Sequence, residues 1–366
     1  MSETITTTLR PEEQLTPERV QSMLRISPHI EGAAGIEVAS VSAEPVGTGQ
    51  MATSVRLTLD YASAPAGAPR TVVAKVPSTD EASLAMAAGT NAYGREVAFY
   101  RELAPQIGAA VPRCHFGEVA GSGTDFVLLL EDLAPARSVD QREGGSVDEV
   151  AAVLRHTADL HGRFWGRADA GWLPVQHVWG ALAGQIPAIT EAWLDRFGRY
   201  VDADLHDVIR ELGGVAPIWL STLERPRTVW HGDLRLDNVL FDARRGTSDA
   251  VIVDWQSAAS GPGTTDVSYL IGTSLAPTDR RENEKSLVAD YHQRLTSHDA
   301  VGDYSLDECW LDYRSQALYA LVLTLPVSMG VQPTERGDAM FGAMATRAAG
   351  HVRDLDTVGA LRGMQS

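Results

Sequence analysis

Trp230-His231-Gly232-Asp233-Leu234-Arg235-Leu236-Asp237-Asn238-Val239-Leu240-Phe241 is a polar segment framed by apolar residues, and it decides how this chain is read. Its carboxylate at Asp233 and its amide at Asn238 stand five residues apart. A general base must face a nucleophilic hydroxyl, while a hard oxygen nearby must reach a metal ion. A loop held by apolar segments on both sides can aim two such side chains at one point. Asp254, sixteen residues after Asn238, lies in Val251-Ile252-Val253-Asp254-Trp255, an apolar strand ending in a carboxylate. Mg²⁺ takes a few hard oxygens and completes its shell with water and phosphate oxygens, so Asn238 and Asp254 are a sufficient protein contribution.

The first segment has the H-x-D-L-x-x-x-N spacing of kinase catalytic loops, and Asp254 stands where the second kinase metal ligand is expected. Upstream, Thr71-Val72-Val73-Ala74-Lys75-Val76 resembles the strand whose lysine pairs the phosphates of ATP. Glu96 follows Lys75 by 21 residues on a predicted helix around 94–103 and is placed to orient it as an ion pair. Gly47 and Gly49 precede the first strands. They are either plain turn glycines or a loop covering the nucleotide phosphates with backbone N–H groups, and Ala52 stands where a third glycine would be expected. Val127-Leu128-Leu129-Leu130-Glu131-Asp132-Leu133 closes the β-rich part. In a kinase this is the hinge, whose backbone at Glu131, Asp132 and Leu133 would meet adenine without needing their side chains.

Outward from these motifs, the first third reads as β-rich. Thr16 and Pro17 begin a helix as N-cap and first helical residue. The stretches 55–61 and 71–76 have strand patterning, joined by an Ala/Pro/Gly loop, and 125–130 is a further strand. A connector at 135–146 leads to Ser146-Val147-Asp148-Glu149, a capping box. The helix it opens carries Val150, Val153, Leu154, Thr157, Leu160, His161 and Phe164 on one stripe. The remainder reads as helical, apart from a strand-and-loop island at 228–254. The expected fold is therefore α+β and bilobal. Residues 1–133 form a nucleotide-binding lobe, and 134–366 form a helical lobe with the catalytic loop and acceptor site, with a ligand cleft between them.

The ordered motifs resemble the aminoglycoside phosphotransferase and choline kinase-like superfamily. Lys75-Val76-Pro77, Arg95-Glu96-Val97-Ala98-Phe99-Tyr100-Arg101-Glu102-Leu103, Leu130-Glu131-Asp132-Leu133 and His231-Gly232-Asp233-Leu234 are most similar to its ecdysteroid kinase-like branch. The resemblance runs over roughly residues 15–350. It implies a protein-kinase-like fold acting on small molecules, with Asp233 as base, Asn238 and Asp254 on Mg²⁺, and Lys75 on ATP. It further implies that Asp266 anchors the catalytic-loop backbone. Gly232 replaces the arginine of protein-kinase loops, Trp255-Gln256 replaces Phe-Gly, and no Ala-Pro-Glu follows, which disfavours a protein kinase. Arg235 is read as a group that neutralises the transferring phosphoryl charge.

Composition narrows the partners. Lys and Arg total 31 against 48 Asp and Glu, a net charge of −17, which opposes binding to nucleic acid or anionic membranes. Two distant cysteines, Cys114 and Cys309, argue against a disulfide framework and suit a reducing compartment. Met1–Thr8 lacks the apolar run of a signal peptide. The longest apolar stretch, 317–327, is shorter than the roughly 20 residues of a membrane span. A cytoplasmic enzyme is expected. Its hydroxyl acceptor is open between a lipophilic, sterol-like alcohol, favoured by the branch resemblance and the tryptophans, and an aminoglycoside or polyamine, favoured only by charge. The competing function class is a non-catalytic nucleotide-binding scaffold of the same fold. His161 is read as a packed core histidine, the 202–207 acidic cluster as a solvated helix face, and most of Trp165, Trp172, Trp179, Trp193 and Trp219 as core.

Overall fold

The computed structural model describes residues 15–47, 51–120, 123–174, 176–225, 227–244, 248–331 and 333–364. Its residues divide into two compact units, one of residues 1–135 with 254–257, the other of 136–253 with 258–366. The fold is α+β, with a β-sheet unit and a mostly helical unit.

In the first unit, α1 (Pro17–Arg25) starts at Thr16, whose hydroxyl accepts from Arg19 N–H, and Pro17 fills the first turn. Five strands follow: β1 (Glu37–Pro45), β2 (Ala52–Ser63), β3 (Thr71–Pro77), β4 (Cys114–Ala120) and β5 (Asp125–Glu131). They form one antiparallel sheet in the order β1-β2-β3-β5-β4. Between β3 and β4 lie α2 (Glu81–Thr90), α3 (Ala92–Ala98), a wide helical turn over Phe99–Leu103 and a last turn, Ala104–Ile107. Strands β1 and β4 and helix α2 have no strong local pattern and were not legible in the sequence.

β3 is the middle strand, so its backbone is bonded on both sides. Period-2 alternation then sorts its side chains. Val72, Ala74 and Val76 enter a core with Val20, Met23 and Leu24 of α1 and Leu57 and Leu59 of β2. Lys75, of opposite parity, is sent to the other face.

The second unit opens with α4 (Val147–Arg163), whose capping box is complete: Ser146 accepts from Glu149 N–H, and Glu149 accepts from Ser146 N–H. The predicted stripe from Val150 to Phe164 is buried. Then come α5 (Gln176–Phe197), α6 (His206–Thr222), β6 (Arg227–Trp230), β7 (Val239–Arg244), β8 (Ser248–Ile252) and β9 (Ala259–Pro262). β6 pairs with β9 and β7 with β8, both antiparallel, so the β island runs on to Pro262. Among the described residues, six helices complete the unit: α7 (Thr264–Ser274), α8 (Pro277–Leu295), α9 (Leu306–Gln316), α10 (Tyr319–Gly330), α11 (Glu335–Asp354) and α12 (Thr357–Gly363). Among the described residues, no helix is long and apolar enough to cross a membrane.

Candidate active site

In the first unit Lys75 projects toward α3. Its ammonium donates to Glu96 Oε1 at 2.7 Å and Oε2 at 2.8 Å, and to Asp254 Oδ1 at 2.8 Å. Glu96 is fully buried, Lys75 is 11% exposed and Asp254 25% exposed. Burial alone would lower the lysine pKa, but the two carboxylates more than offset it and hold Lys75 above its ordinary range. Glu96 is pushed up, because burial and the nearby Asp254 oppose its charge more than Lys75 supports it. One ammonium thus serves two carboxylates.

Local structure explains why Asp254 arrives there. Its φ of 68° is left-handed, an uncommon conformation for a residue with a Cβ. The next residue, Trp255, stacks flat on Phe99, with ring centroids 3.8 Å apart and planes 6° apart. Gln256 donates to Asp254 Oδ2 at 3.3 Å. The Trp-Gln pair that departs from the protein-kinase pattern therefore fixes the aspartate in this chain by stacking and by an amide.

Gly47 has φ of 75°, a backbone that favours glycine, so the turn reading at this position has a physical basis. Gly49 lies outside the described residues. The side chains of Glu131 and Asp132 are engaged by arginines: Arg113 donates to Glu131 at 3.0 Å, and Arg56 donates to both oxygens of Asp132 at 2.7 and 3.2 Å. Leu133 is buried.

In the second unit the loop after β6 is pinned by Asp266 of α7. Its carboxylate accepts from the backbone N–H groups of His231 at 2.6 Å and Gly232 at 3.0 Å, as the resemblance implied. Gly232 has φ of 82°, the turn a non-glycine residue would strain. The start of helix α7 packs tightly on α4 and α8 because Gly263 precedes it. A Cβ there would lie 2.6 Å from His161 Nδ1 and 2.8 Å from the Tyr291 hydroxyl. His161 is fully buried and hydrogen-bonded to Tyr291 at 2.8 Å, a core histidine as read from its stripe.

His231 spans the loop. The Val253 carbonyl can only accept and the Asp233 N–H can only donate, so the ring carries its proton on Nε2 and accepts at Nδ1, at 2.9 and 3.1 Å. Gln141 of the connector accepts from Leu236 N–H and donates its own N–H to Asp237, while Arg347 of α11 holds the Gln141 carbonyl. Leu234 and Leu236 are fully buried between these anchors.

The loop presents Asp233, whose side chain is 21% exposed. Asn238 donates its Nδ2 to Asp233 Oδ2 at 3.0 Å and to the Asp233 carbonyl at 2.9 Å. The Tyr269 hydroxyl donates to Asp233 Oδ1 at 3.0 Å. Arg235 Nε lies 3.1 and 3.2 Å from the two Asp233 oxygens, and its Nη1 donates to Asp237 at 2.7 Å. Burial would lower the Arg235 pKa, but Asp233 and the other negative neighbours hold it above its ordinary range. Sequence reading brought out Asp233, Asn238 and Arg235 but missed Tyr269, Gln141 and Tyr319, the last of which donates its hydroxyl to the Gly232 carbonyl. The one signal for Tyr269 was its position, three residues after Asp266 on the same helix.

Asp204 and Asp207 are exposed and paired with Arg353 and Arg210. Trp179, Trp193 and Trp219 are core, whereas Trp165 and Trp172 are half-buried.

A family model described as the phosphotransferase enzyme family matches residues 62–303, well over half of the chain, and the chain belongs to that family. The match is to the superfamily as a whole and does not single out the ecdysteroid kinase-like branch. Among solved structures, the chain is similar to a choline kinase from Cryptosporidium parvum Iowa II, with 10% identity over 95% of this chain and 97% of that one and a TM-score of 0.58. It is also similar to a Plasmodium vivax ethanolamine kinase, with 10% identity over 86% and 83% of the two chains and a TM-score of 0.54. A microcompartment-associated aminopropanol kinase aligns at 16% identity over 90% and 94%, with a TM-score of 0.50. At such identities the likeness is one of fold, the kinase-like pairing of a β-sheet lobe with a helical lobe. No curated protein matches the chain in sequence.

Proposed function

We propose that this phosphotransferase moves the γ-phosphoryl group of Mg·ATP to a hydroxyl of a small molecule, with Asp233 as general base. The observation that carries the reading is Lys75 held between buried Glu96 and Asp254. Setting two carboxylates against one ammonium, one of them fully buried, is a poor device for stability. It is a good one for a site that receives a metal ion and phosphates. In this reading residues 1–133 bind the nucleotide, with Lys75 on its phosphates, Gly47 near them and the backbone at Glu131–Leu133 against the base. The helical part brings the acceptor to Asp233.

The donor set suits Mg²⁺. Asn238 spends its Nδ2 on Asp233, so its amide oxygen is the atom left for a metal, and Asp254 supplies a second hard oxygen. When bound, the ion neutralises charge developing on the phosphates. Asp233 takes the acceptor hydroxyl's proton at a carboxylate oxygen. Arg235 Nε lies on both of its oxygens, and in this reading that guanidinium turns to the incoming phosphoryl group as its new partner, which frees a lone pair for the proton. Arg235→Ala is expected to lower kcat about 10²-fold, the scale of one lost donor to transition-state charge. Unchanged turnover would remove Arg235 from the mechanism.

The acceptor is proposed as a small alcohol in a cytoplasmic setting. The branch resemblance favours a lipophilic one. Burial of Trp179, Trp193 and Trp219 withdraws most of the support that tryptophan content lent it. The structural neighbours are named for choline, ethanolamine and aminopropanol, so amino alcohols belong in the test beside sterols and aminoglycosides. The test is ADP release from Mg·ATP across that panel. Stimulation by one class supports the proposal and names the class. Tight ATP binding with no turnover for any member supports the scaffold reading instead.

A further inference from the structure

Tyr269 has no place in the mechanism so far, yet its hydroxyl reaches Asp233. It sits on α7, the helix whose Asp266 pins the loop backbone, so one rigid element sets both the main chain of the loop and one oxygen of its carboxylate. The ring is 2% exposed and packs edge-on against Tyr319, with centroids 5.5 Å apart. Tyr319 in turn bonds the Gly232 carbonyl. Burial, and then the adjacent Asp233 charge, raise the Tyr269 phenol well above its ordinary range, so it remains a donor.

The two fixed donors divide the carboxylate between them. Tyr269 holds Oδ1 from helix α7 and Asn238 holds Oδ2 from within the loop, each at 3.0 Å. Arg235 touches both oxygens but is itself shared with Asp237 and lies against Met340 of α11, so it is the exchangeable member of the set. A carboxylate held by one donor can rotate about its Cβ–Cγ bond. One held at both oxygens cannot, and it keeps its orientation when Arg235 leaves. We propose that Tyr269 is a positioning residue for the reaction, its hydroxyl fixing the plane of the Asp233 carboxylate so that a lone pair faces the acceptor hydroxyl. The assignment rests on the reading of Asp233 as base.

Tyr269→Phe keeps the ring and removes only the hydroxyl. It is expected to lower kcat about tenfold or more, the scale of one hydrogen bond to a charged group. KM for ATP should stay within about twofold, since a group used only in orienting the base does not alter ground-state nucleotide binding. ADP release from Mg·ATP is followed with water alone and with choline, ethanolamine or a sterol as acceptor. A second arm repeats the substitution in an Asp233→Asn background, where no further loss in kcat is expected because the hydroxyl then has no base to orient. Unchanged kcat in Tyr269→Phe, beside an Asp233→Asn slowed by the expected factor of about 10²–10⁴, overturns the Tyr269 assignment alone. A tenfold loss that persists in the Asp233→Asn background also overturns it, because the hydroxyl would then act elsewhere. A fully active Asp233→Asn, or wild type without any ADP release, overturns the base assignment and this one with it.

Discussion

Asp233→Asn is expected to lower kcat by about 10²–10⁴-fold, the usual worth of a general base, while Mg·ATP still binds. The substitution is nearly isosteric, and the loop can absorb it. The new amide oxygen can face Asn238 Nδ2, and the new amide nitrogen can face the Tyr269 hydroxyl, which accepts as well as donates. What is lost is the capacity to take a proton. The backbone anchors at Asp266 and Gln141 are untouched, so the melting temperature should hardly move. Steady-state ADP release and a calorimetric ATP titration check the two halves of the prediction. Loss of ATP binding together with turnover would show that the fold, rather than the chemistry, had been disturbed.

Lys75→Met is expected to act on both nucleotide binding and stability. Removing the ammonium leaves Glu96, fully buried, beside Asp254 with no cation between them. Breaking a buried pair by deleting one partner costs about 3–5 kcal/mol, a large share of the 5–15 kcal/mol that typically holds a domain together. Uptake of a proton by Glu96, whose pKa is already raised by burial, should soften that cost. A second variant separates the two effects. Lys75→Met with Glu96→Gln removes the stranded charge and should recover much of the melting temperature, yet ATP affinity should stay low because the phosphate partner is gone. Thermal melts and ATP titrations of both variants decide it. Full recovery of ATP affinity in the double variant would remove Lys75 from nucleotide binding.

Much of the fold was written locally. Thr16-Pro17 and Ser146-x-x-Glu149 mark helix starts because their side chains can satisfy only particular backbone N–H groups. The β-branched, apolar run at 71–76 was readable as a strand, and within that strand parity puts Lys75 on the side opposite Val72, Ala74 and Val76. Strands β1 and β4 were illegible for the converse reason. β1 is largely exposed and defined by pairing with β2, and β4 takes its register from β5, so tertiary partners rather than their own residues make them strands.

The candidate site divides in the same way. Asp233, Asn238, Lys75 and Glu96 were visible because the chemistry ties them to fixed spacings. Tyr269 and Gln141 were not, since each serves the loop from a distant segment and nothing in its neighbourhood announces that. The role of Trp255 was equally hidden: its stacking on Phe99 is a contact across more than a hundred residues.

If Asp233 takes the proton of an acceptor hydroxyl as that oxygen receives the phosphoryl group of ATP, the product is a phosphorylated acceptor, and mass analysis of the acceptor after incubation with Mg·ATP detects it. The expected result is an acceptor heavier by one phosphoryl group with the wild-type protein, and about 10²–10⁴-fold slower formation of it with Asp233→Asn. ADP formed while every acceptor stays unmodified, or a phosphorylated acceptor made equally well by Asp233→Asn, would contradict it.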